Sequence, residues 1–513
     1  MYSLVSFNGV LYAISTLVTF LVLRIIYRLY FHPLSKFPGP KLAAATSLHN
    51  AWHDILQPGL IKRLPELHKK YGPIIRIQPN ELHVADLGGY NQIFRVGTPF
   101  DRIWHNNPFL TGSLESLTTL NQTKKRKEFL SPFFSKASIN RVEPFLHRVK
   151  LIQFLDTLKD SAQANGGKGS VIDFFLGFRC LTADTIMDYC FQQDLNALDE
   201  KDFQSKTVEA FVAGFDLALV STHFPKTFGI LNSIIFSLPE SVREKYFAPV
   251  YGFQMVQKLA KERVEHLLSK PPNPNSSKMP TMFDLMLTPD PKKDQVTPSK
   301  HDMIADGCLM IAAGTDTTAN VLGLALWHIT SNPSIEAKLL KELKAAMPDR
   351  DVMLESSRLE SEGFIYLRAV VKEALRLAYG VPGRIMRKVP SGGATFNGRF
   401  VPGGTTITSG IYLQNTNPET FPDPLKFDPE RWLCDPDTYK ERDRHMLSFS
   451  RGSRSCIGIN LAYATLHLTV AHLFRRFEIV TKDYTTEYDM DWNDRFVPVP
   501  NGRIKGLVRE RKD

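Results

Sequence analysis

A chain of 513 residues with 43% apolar content is long enough to bury a large core, and it carries no low-complexity tract or repeat, so one large catalytic domain is expected rather than a solenoid. The formal charge of +10 is dispersed and comes with no nucleic-acid-binding motif, which sets nucleic acid aside in favour of a membrane surface or an acidic protein partner. Five cysteines, Cys180, Cys190, Cys308, Cys434 and Cys456, show neither paired metal spacing nor the density of a disulfide framework, as suits a reducing compartment.

The first element is an apolar run from Leu4 to Leu23, broken only by Asn8 and followed by Arg24, Arg28, Lys36 and Lys41. It reads as one membrane-spanning helix whose basic end stays in the cytosol. A cleaved signal peptide would want a basic start and a small-residue cleavage site, and neither precedes Arg24. The anchor is placed at 1–30. The prolines of Phe31-His32-Pro33-Leu34-Ser35-Lys36-Phe37-Pro38-Gly39-Pro40 stop the helix and make 31–40 a stiff hinge, and 41–513 is taken as the catalytic domain.

After a Gly72-Pro73 break, residues 74–84 alternate apolar and polar as a small sheet does, and a second such patch runs from Ala394 to Ile411. The middle of the chain reads helical. Asn165 to Gly169 and Pro271 to Pro280 are expected as exposed loops. Lys124-Lys125-Arg126-Lys127 and Arg442 to Arg454 are the two densest basic patches, either solvated faces or a partner surface.

From Asp302 to Ser331 a long apolar helix contains Ala313-Gly314-Thr315-Asp316-Thr317-Thr318. A glycine costs about 1 kcal/mol against alanine in a helix, and threonines can bond back to the preceding turn, so this cluster is expected to loosen the helix locally. Glu373 and Arg376 stand at i and i+3 on one helical face and can pair. Phe427-Asp428-Pro429-Glu430-Arg431-Trp432 follows. Then comes Phe449-Ser450-Arg451-Gly452-Ser453-Arg454-Ser455-Cys456-Ile457-Gly458: two glycines let backbone pass close to a flat partner, Arg454 offers a fork for a carboxylate, and Cys456 precedes a helix whose N-terminus stabilises a thiolate.

These motifs, in this order, resemble those of the cytochrome P-450 superfamily over nearly the whole chain, and the texture of Phe31–Pro40 and Tyr71–Val84 is similar to microsomal fungal enzymes of the trichodiene oxygenase group. The resemblance implies a mainly α fold with small β-sheets behind one transmembrane helix. It also implies haem b with Cys456 as axial iron ligand. Phe449 and Gly458 frame that ligand; Asp316 supplies protons and Thr317 a hydrogen bond for dioxygen cleavage; Glu373, Arg376 and Arg431 lock the core. For the haem propionates the resemblance offers Arg454 and Arg387, with Arg384 competing. In the helix before Pro132, where the family carries an aromatic or His followed by Arg, this chain has Thr123 and Lys127, leaving Lys127, Lys124 and Arg126 as candidates. Substrate contacts are expected from the loop 100–120, the apolar stretch 211–236, Cys308, Ile311, Ala312, Thr315, Val381 and Pro382, while Phe224, Phe228, Ile234, Ile235 and Phe236 would dip into lipid. The implied enzyme is an endoplasmic-reticulum monooxygenase acting on an apolar small molecule, drawing electrons from NADPH through a flavin-bearing reductase, with cytochrome b5 as a second donor. A haem-thiolate isomerase or dehydratase would lack the acid and threonine, and a haem carrier would not need the groove.

Overall fold

A computed structural model of the chain describes residues 7–104, 110–269, 280–293 and 295–512. Residues 1–6 of the expected anchor, 105–109 of the expected substrate loop and 271–279 of the expected Pro-rich loop lie outside them. The described chain is mainly helical with small sheets. It packs as two units: residues 1–93, 99–103 and 384–410 form the first, and residues 94–98, 104–383 and 411–513 the second. The expected boundaries at 30 and 40 both fall inside the first unit.

In the first unit the helix Phe7–Ile26 carries no acid and ends on Arg24; a short π-helix, Tyr27–Phe31, extends it. The proline-rich segment 31–40 that follows is tied to a sheet by Arg76. This buried side chain donates to the carbonyls of Arg28 and Pro79, at 2.8 and 2.7 Å, and its amide donates to Pro38 at 2.7 Å. Clustered with another cation and removed from water, the guanidinium is pushed down to about 10 by burial, with Arg28 adding to the effect.

The sheet has five strands. Ile74–Gln78 pairs antiparallel with Glu81–Val84, which runs parallel to Thr406–Gly410; that strand pairs antiparallel with Arg384–Lys388, and Asp101–Arg102 closes the edge. The first pair and Thr406–Gly410 lie within the two patches read as sheet; Arg384–Lys388 was not read as a strand, because its three basic residues hide the alternation. Arg384 is held there by Asp54 and Glu81, at 2.5 and 2.9 Å. The hairpin Ala394–Phe396 with Arg399–Val401 turns through Asn397 and Gly398, both at positive φ, the combination a two-residue turn demands.

The second unit is built around the helix Lys300–Thr330, the central helix, which packs against the helices Phe174–Phe191, Ala248–Leu268, Ile365–Ala378 and Ile459–Arg476. It is α-helical throughout, without the expected loosening. Gly314 has a packing reason instead: a Cβ there would meet Ile186 Cγ1 at 2.6 Å, so only glycine lets helix Phe174–Phe191 approach this closely. Small sheets complete the unit, one of three strands, Ser170–Asp173, Lys505–Glu510 and Phe477–Val480, and one of two, Trp492–Arg495 and Val497–Pro500.

Candidate functional site

The loop that carries Cys456 is fixed by backbone. The Cys456 amide donates to the Phe449 carbonyl at 2.9 Å, and Ser455 N to Gly452 O at 3.1 Å. Gly452 sits at φ +70°, and a Cβ there would lie 1.8 Å from the Phe94 carbonyl oxygen, so the backbone passes where no side chain could. Arg454 donates to the carbonyls of Leu117 (2.7 Å), Thr118 (2.7 Å) and Thr119 (3.1 Å), tying the loop to the segment that enters the helix Leu120–Phe133. From that helix Lys127 Nζ donates to the Ser455 carbonyl at 2.7 Å.

Cys456 is an exposed side chain with much protein around it, the combination that a concave wall produces. Burial pushes its thiol up, while the Gly458 amide and the Lys127 ammonium pull it down. Both pulls stabilise sulfur as an anion and would strengthen it as a metal ligand. Phe449 packs its ring 5.4 Å from Tyr463 beneath the loop.

On the central helix, Ala313 is exposed and Thr317 half-buried, although the helix is packed along most of its length. Thr317 Oγ1 donates to the Ala313 carbonyl at 2.8 Å. At 100° per residue these two share a face with Leu309, which is partly open as well. Cys308, Ile311 and Thr315, expected among the substrate contacts, are buried on the opposite face: the first two belong to an apolar core with Phe191 and Met187, and the Thr315 carbonyl accepts from Thr182 Oγ1 at 2.7 Å. Their spacing is helical but about half a turn out of phase with the open face. Ala312 is half-buried at its flank, Val381 is half-buried and Pro382 is buried.

Asp316 is buried beside Thr317 and is fully engaged. Arg179 donates to it from Nε at 2.7 Å and Nη2 at 2.6 Å, and Asn320 Nδ2 donates to its other oxygen at 2.9 Å. Arg179 also reaches Asn320 Oδ1 at 2.6 Å. Arg179 stands 137 positions earlier as the one basic residue of helix Phe174–Phe191; a buried charge needs a partner, and that was the sign available for it.

A second buried pair was also missed. Arg126 Nη1 bonds Asp306, whose other oxygen accepts from the Leu114 amide at 2.6 Å; Asp302 stands 3.4 Å from Arg126 Nη2. Arg126 is therefore turned to the central helix, Lys127 to the cysteine loop, and Lys124 is exposed. Burial pushes Asp306 up to about 6 against the pull of Arg126 and the Leu114 amide. Arg387 is buried in the first unit, where its Nη1 donates to the Met386 carbonyl at 2.9 Å.

Glu373 is fully buried and accepts from Arg376 Nε (2.9 Å) and Nη2 (2.8 Å), Arg431 Nε (2.9 Å), Trp432 Nε1 (2.9 Å) and the Asp428 amide (3.0 Å). Arg376 Nη1 also ties down the carbonyls of Asn415 (2.7 Å) and Pro424 (2.6 Å). Burial alone would raise the Glu373 carboxyl; Arg376, Arg431 and the amide outweigh it and hold it below the usual range.

A thiol on a wall-like loop, a cation and an amide beside the sulfur, glycines where backbone must pass, and an open stripe of small residues on a core helix together fit a flat iron ring held by Cys456. The comparisons agree with that geometry. The family model described as cytochrome P450 matches residues 45–505. The chain is 36% identical to cytochrome P450 monooxygenase MO6277 of Ascocoryne sarcoides, over 94% of this chain and 95% of that protein. It is 32% identical to cytochrome P450 monooxygenase macH of Penicillium terrestre, over 98% of each. It is 31% identical to tryptophan 6-hydroxylase fscE of Fusarium equiseti, over 94% and 93%.

Proposed function

Because the chain belongs to the cytochrome P450 family, as a monooxygenase of the fungal secondary-metabolite type, we propose that it is a membrane-anchored hydroxylase or epoxidase of an apolar small molecule, fed with electrons from NADPH by a flavin-bearing reductase. The observation that carries the reading is Cys456 in its backbone-fixed loop, where the Gly458 amide and Lys127 offset part of the rise that burial imposes on the thiol. Haem b, held through that sulfur, supplies the activation of dioxygen; the family implies this cofactor. Everything else is done by side chains. Phe449 backs the loop, and Gly458 donates its amide toward the sulfur. Arg454 and Lys127 are the cations assigned to its carboxylates.

Thr317 lies on the open face with a hydroxyl, donating to the Ala313 carbonyl, that could turn and donate a hydrogen bond into the open space beside it. Asp316, one residue back, passes protons toward it, and Arg179 and Asn320 hold that carboxylate in place. Ala312, Val381 and Pro382 remain assigned to the substrate, joined by Leu309 and Ala313. The presence of both Asp316 and Thr317 favours oxygen cleavage over an isomerase or dehydratase, which would need neither.

The membrane reading rests on Gly9–Phe31, which has mean hydropathy 2.1 and no buried residue; the 20 residues of helix Phe7–Ile26 rise about 30 Å, the thickness of a hydrocarbon core. A second contact comes from the helix Pro225–Phe236, which exposes Ile230, Leu231, Ile234 and Phe236, with Phe224 at its N-cap. Phe228 is buried and takes no part, whereas Ile230 and Leu231 replace it on the outer face. An endoplasmic-reticulum location with the catalytic part in the cytosol, and cytochrome b5 as an auxiliary donor, follow from the same reading. Cys456→Ser is the test of its centre: the variant should lose the red-shifted Soret band of the ferrous thiolate carbonyl complex. Retention of that band would remove Cys456 as the ligand.

A further inference from the structure

In the first unit the helix Leu48–Leu56 is inside out. Its large apolar residues Leu48, Trp52 and Leu56 are 60%, 56% and 60% exposed, while its polar residues Asn50 and Asp54 are buried. A spacing of four keeps the three on one stripe, and Leu42, in the preceding helix Lys41–Ala45, is exposed as well. Chemistry fixes this orientation. Asp54 accepts from the Leu60 amide at 2.9 Å and pairs with Arg384 at 2.5 Å, so the helix cannot roll its leucines inward without stripping buried Arg384 of one of its two acids. Apolar residues gathered on one outward stripe mark a contact surface, which apolar residues scattered singly do not.

The chain just before the stripe indicates what covers it. Tyr27, Tyr30 and Phe31 stand exposed at the end of the apolar N-terminal helix, where aromatic rings sit at the level of lipid headgroups. From the same turn Arg28 Nη1 donates to the Ala45 carbonyl at 2.7 Å, and Leu48 follows three residues later, within about 11 Å. Charge agrees: between residues 24 and 71 eight Lys and Arg stand against two acids, Asp54 and Glu66, and Asp54 is already paired with Arg384. We infer that the stripe of Leu42, Leu48, Trp52 and Leu56 lies in the interface of an anionic bilayer, with its apolar side chains at the acyl boundary and the surrounding basic residues among the phosphates. The inference rests on the membrane reading of Gly9–Phe31 and adds a foot to that anchor. Anchor and foot, joined through Arg28, hold the first unit on the surface in one orientation instead of letting it swing from a tether.

Trp52 is its own reporter, because it is exposed whereas Trp104, Trp327, Trp432 and Trp492 are half-buried or buried. The haem-loaded full chain is reconstituted in vesicles of phosphatidylcholine and phosphatidylserine, brominated either near the headgroup or near the chain end, and recovered by flotation. Tryptophan fluorescence of the wild type should be quenched more by the shallow bromines than by the deep ones, and Trp52→Phe should abolish that difference. Leu48→Glu combined with Leu56→Glu, both at exposed positions, should cut the shallow quenching about threefold or more. In the wild type, leaving out phosphatidylserine should weaken it at low salt; equal quenching with and without that lipid would overturn the choice of an anionic surface. A chain that does not float overturns the membrane reading and the foot together. A chain that floats with the same shallow quenching in wild type and Trp52→Phe overturns the foot alone, as does a shielding of Trp52 from acrylamide that grows with protein concentration, the mark of contact with a second copy.

Discussion

Replacing Glu373 by glutamine tests whether the buried acid organises the segment ahead of the cysteine loop. The substitution keeps shape and one carbonyl oxygen but removes the charge and half of the acceptor capacity. Five donors converge on the carboxylate, two of its contacts coming through Oε2, from Arg376 Nε and Trp432 Nε1. An amide in that place turns an NH2 group toward one set of donors and leaves two buried guanidinium groups without a counter-charge. Breaking a buried pair in this way costs about 3–5 kcal/mol, a large share of the roughly 5–15 kcal/mol that holds a domain folded. Trp432→Phe is the internal comparison, since it leaves the charge in place and removes one neutral donor, about 1 kcal/mol, plus the smaller packing loss of a buried ring. Urea unfolding followed by circular dichroism, with the haem content of purified protein measured alongside, gives both numbers. If Glu373→Gln cost no more than Trp432→Phe, the charge would not be what holds this core, and shape alone would account for the cluster.

Thr317→Ala should retain haem but release a larger share of its reducing equivalents as hydrogen peroxide, measured as product formed per NADPH consumed; an unchanged ratio would remove the hydroxyl from the proton path. The Asp306 carboxyl, at about 6, lies above its unfolded value of about 3.9. The folded state therefore holds that proton more tightly, and the associated stability is full at low pH and fades as pH rises through 6. About 3 kcal/mol of that slope should vanish in Asp306→Asn when midpoints are compared across pH 4–8, and parallel curves would contradict it. Deleting residues 1–31 should leave part of the protein on membranes through Ile230, Leu231 and Ile234, as read by flotation; complete solubility would dispose of that second contact.

The parts of this molecule that could be read from the chain are those written in short spacing. The glycine, arginine and cysteine of the loop, the Glu373 and Arg376 step of one helical turn, and the acid-threonine pair all declare themselves within ten residues. What stayed hidden depends on partners brought from far away. Arg179 meets Asp316 across 137 positions and Arg126 meets Asp306 across 180, and no local pattern encodes either. The open face of the central helix was misplaced for a different reason: Cys308, Ile311 and Thr315 repeat with a helical period, as do Leu309, Ala313 and Thr317, and periodicity names a face without saying which one meets protein. Phe228 and its neighbours Ile230 and Leu231 pose the same ambiguity, settled only by what packs against them.

The ties between the cysteine loop and the early helix Leu120–Phe133 also set a schedule for synthesis. Lys127 waits for a carbonyl 328 residues downstream, and Leu117 for a guanidinium 337 residues downstream. At about 5–20 residues per second on the ribosome, that gap lasts roughly 15–70 s. By then the first apolar helix has long emerged, while the early helix Leu120–Phe133 still awaits its mates. Cofactor capture thus belongs to the end of translation, and a ribosome pause after residue 456 would give it time.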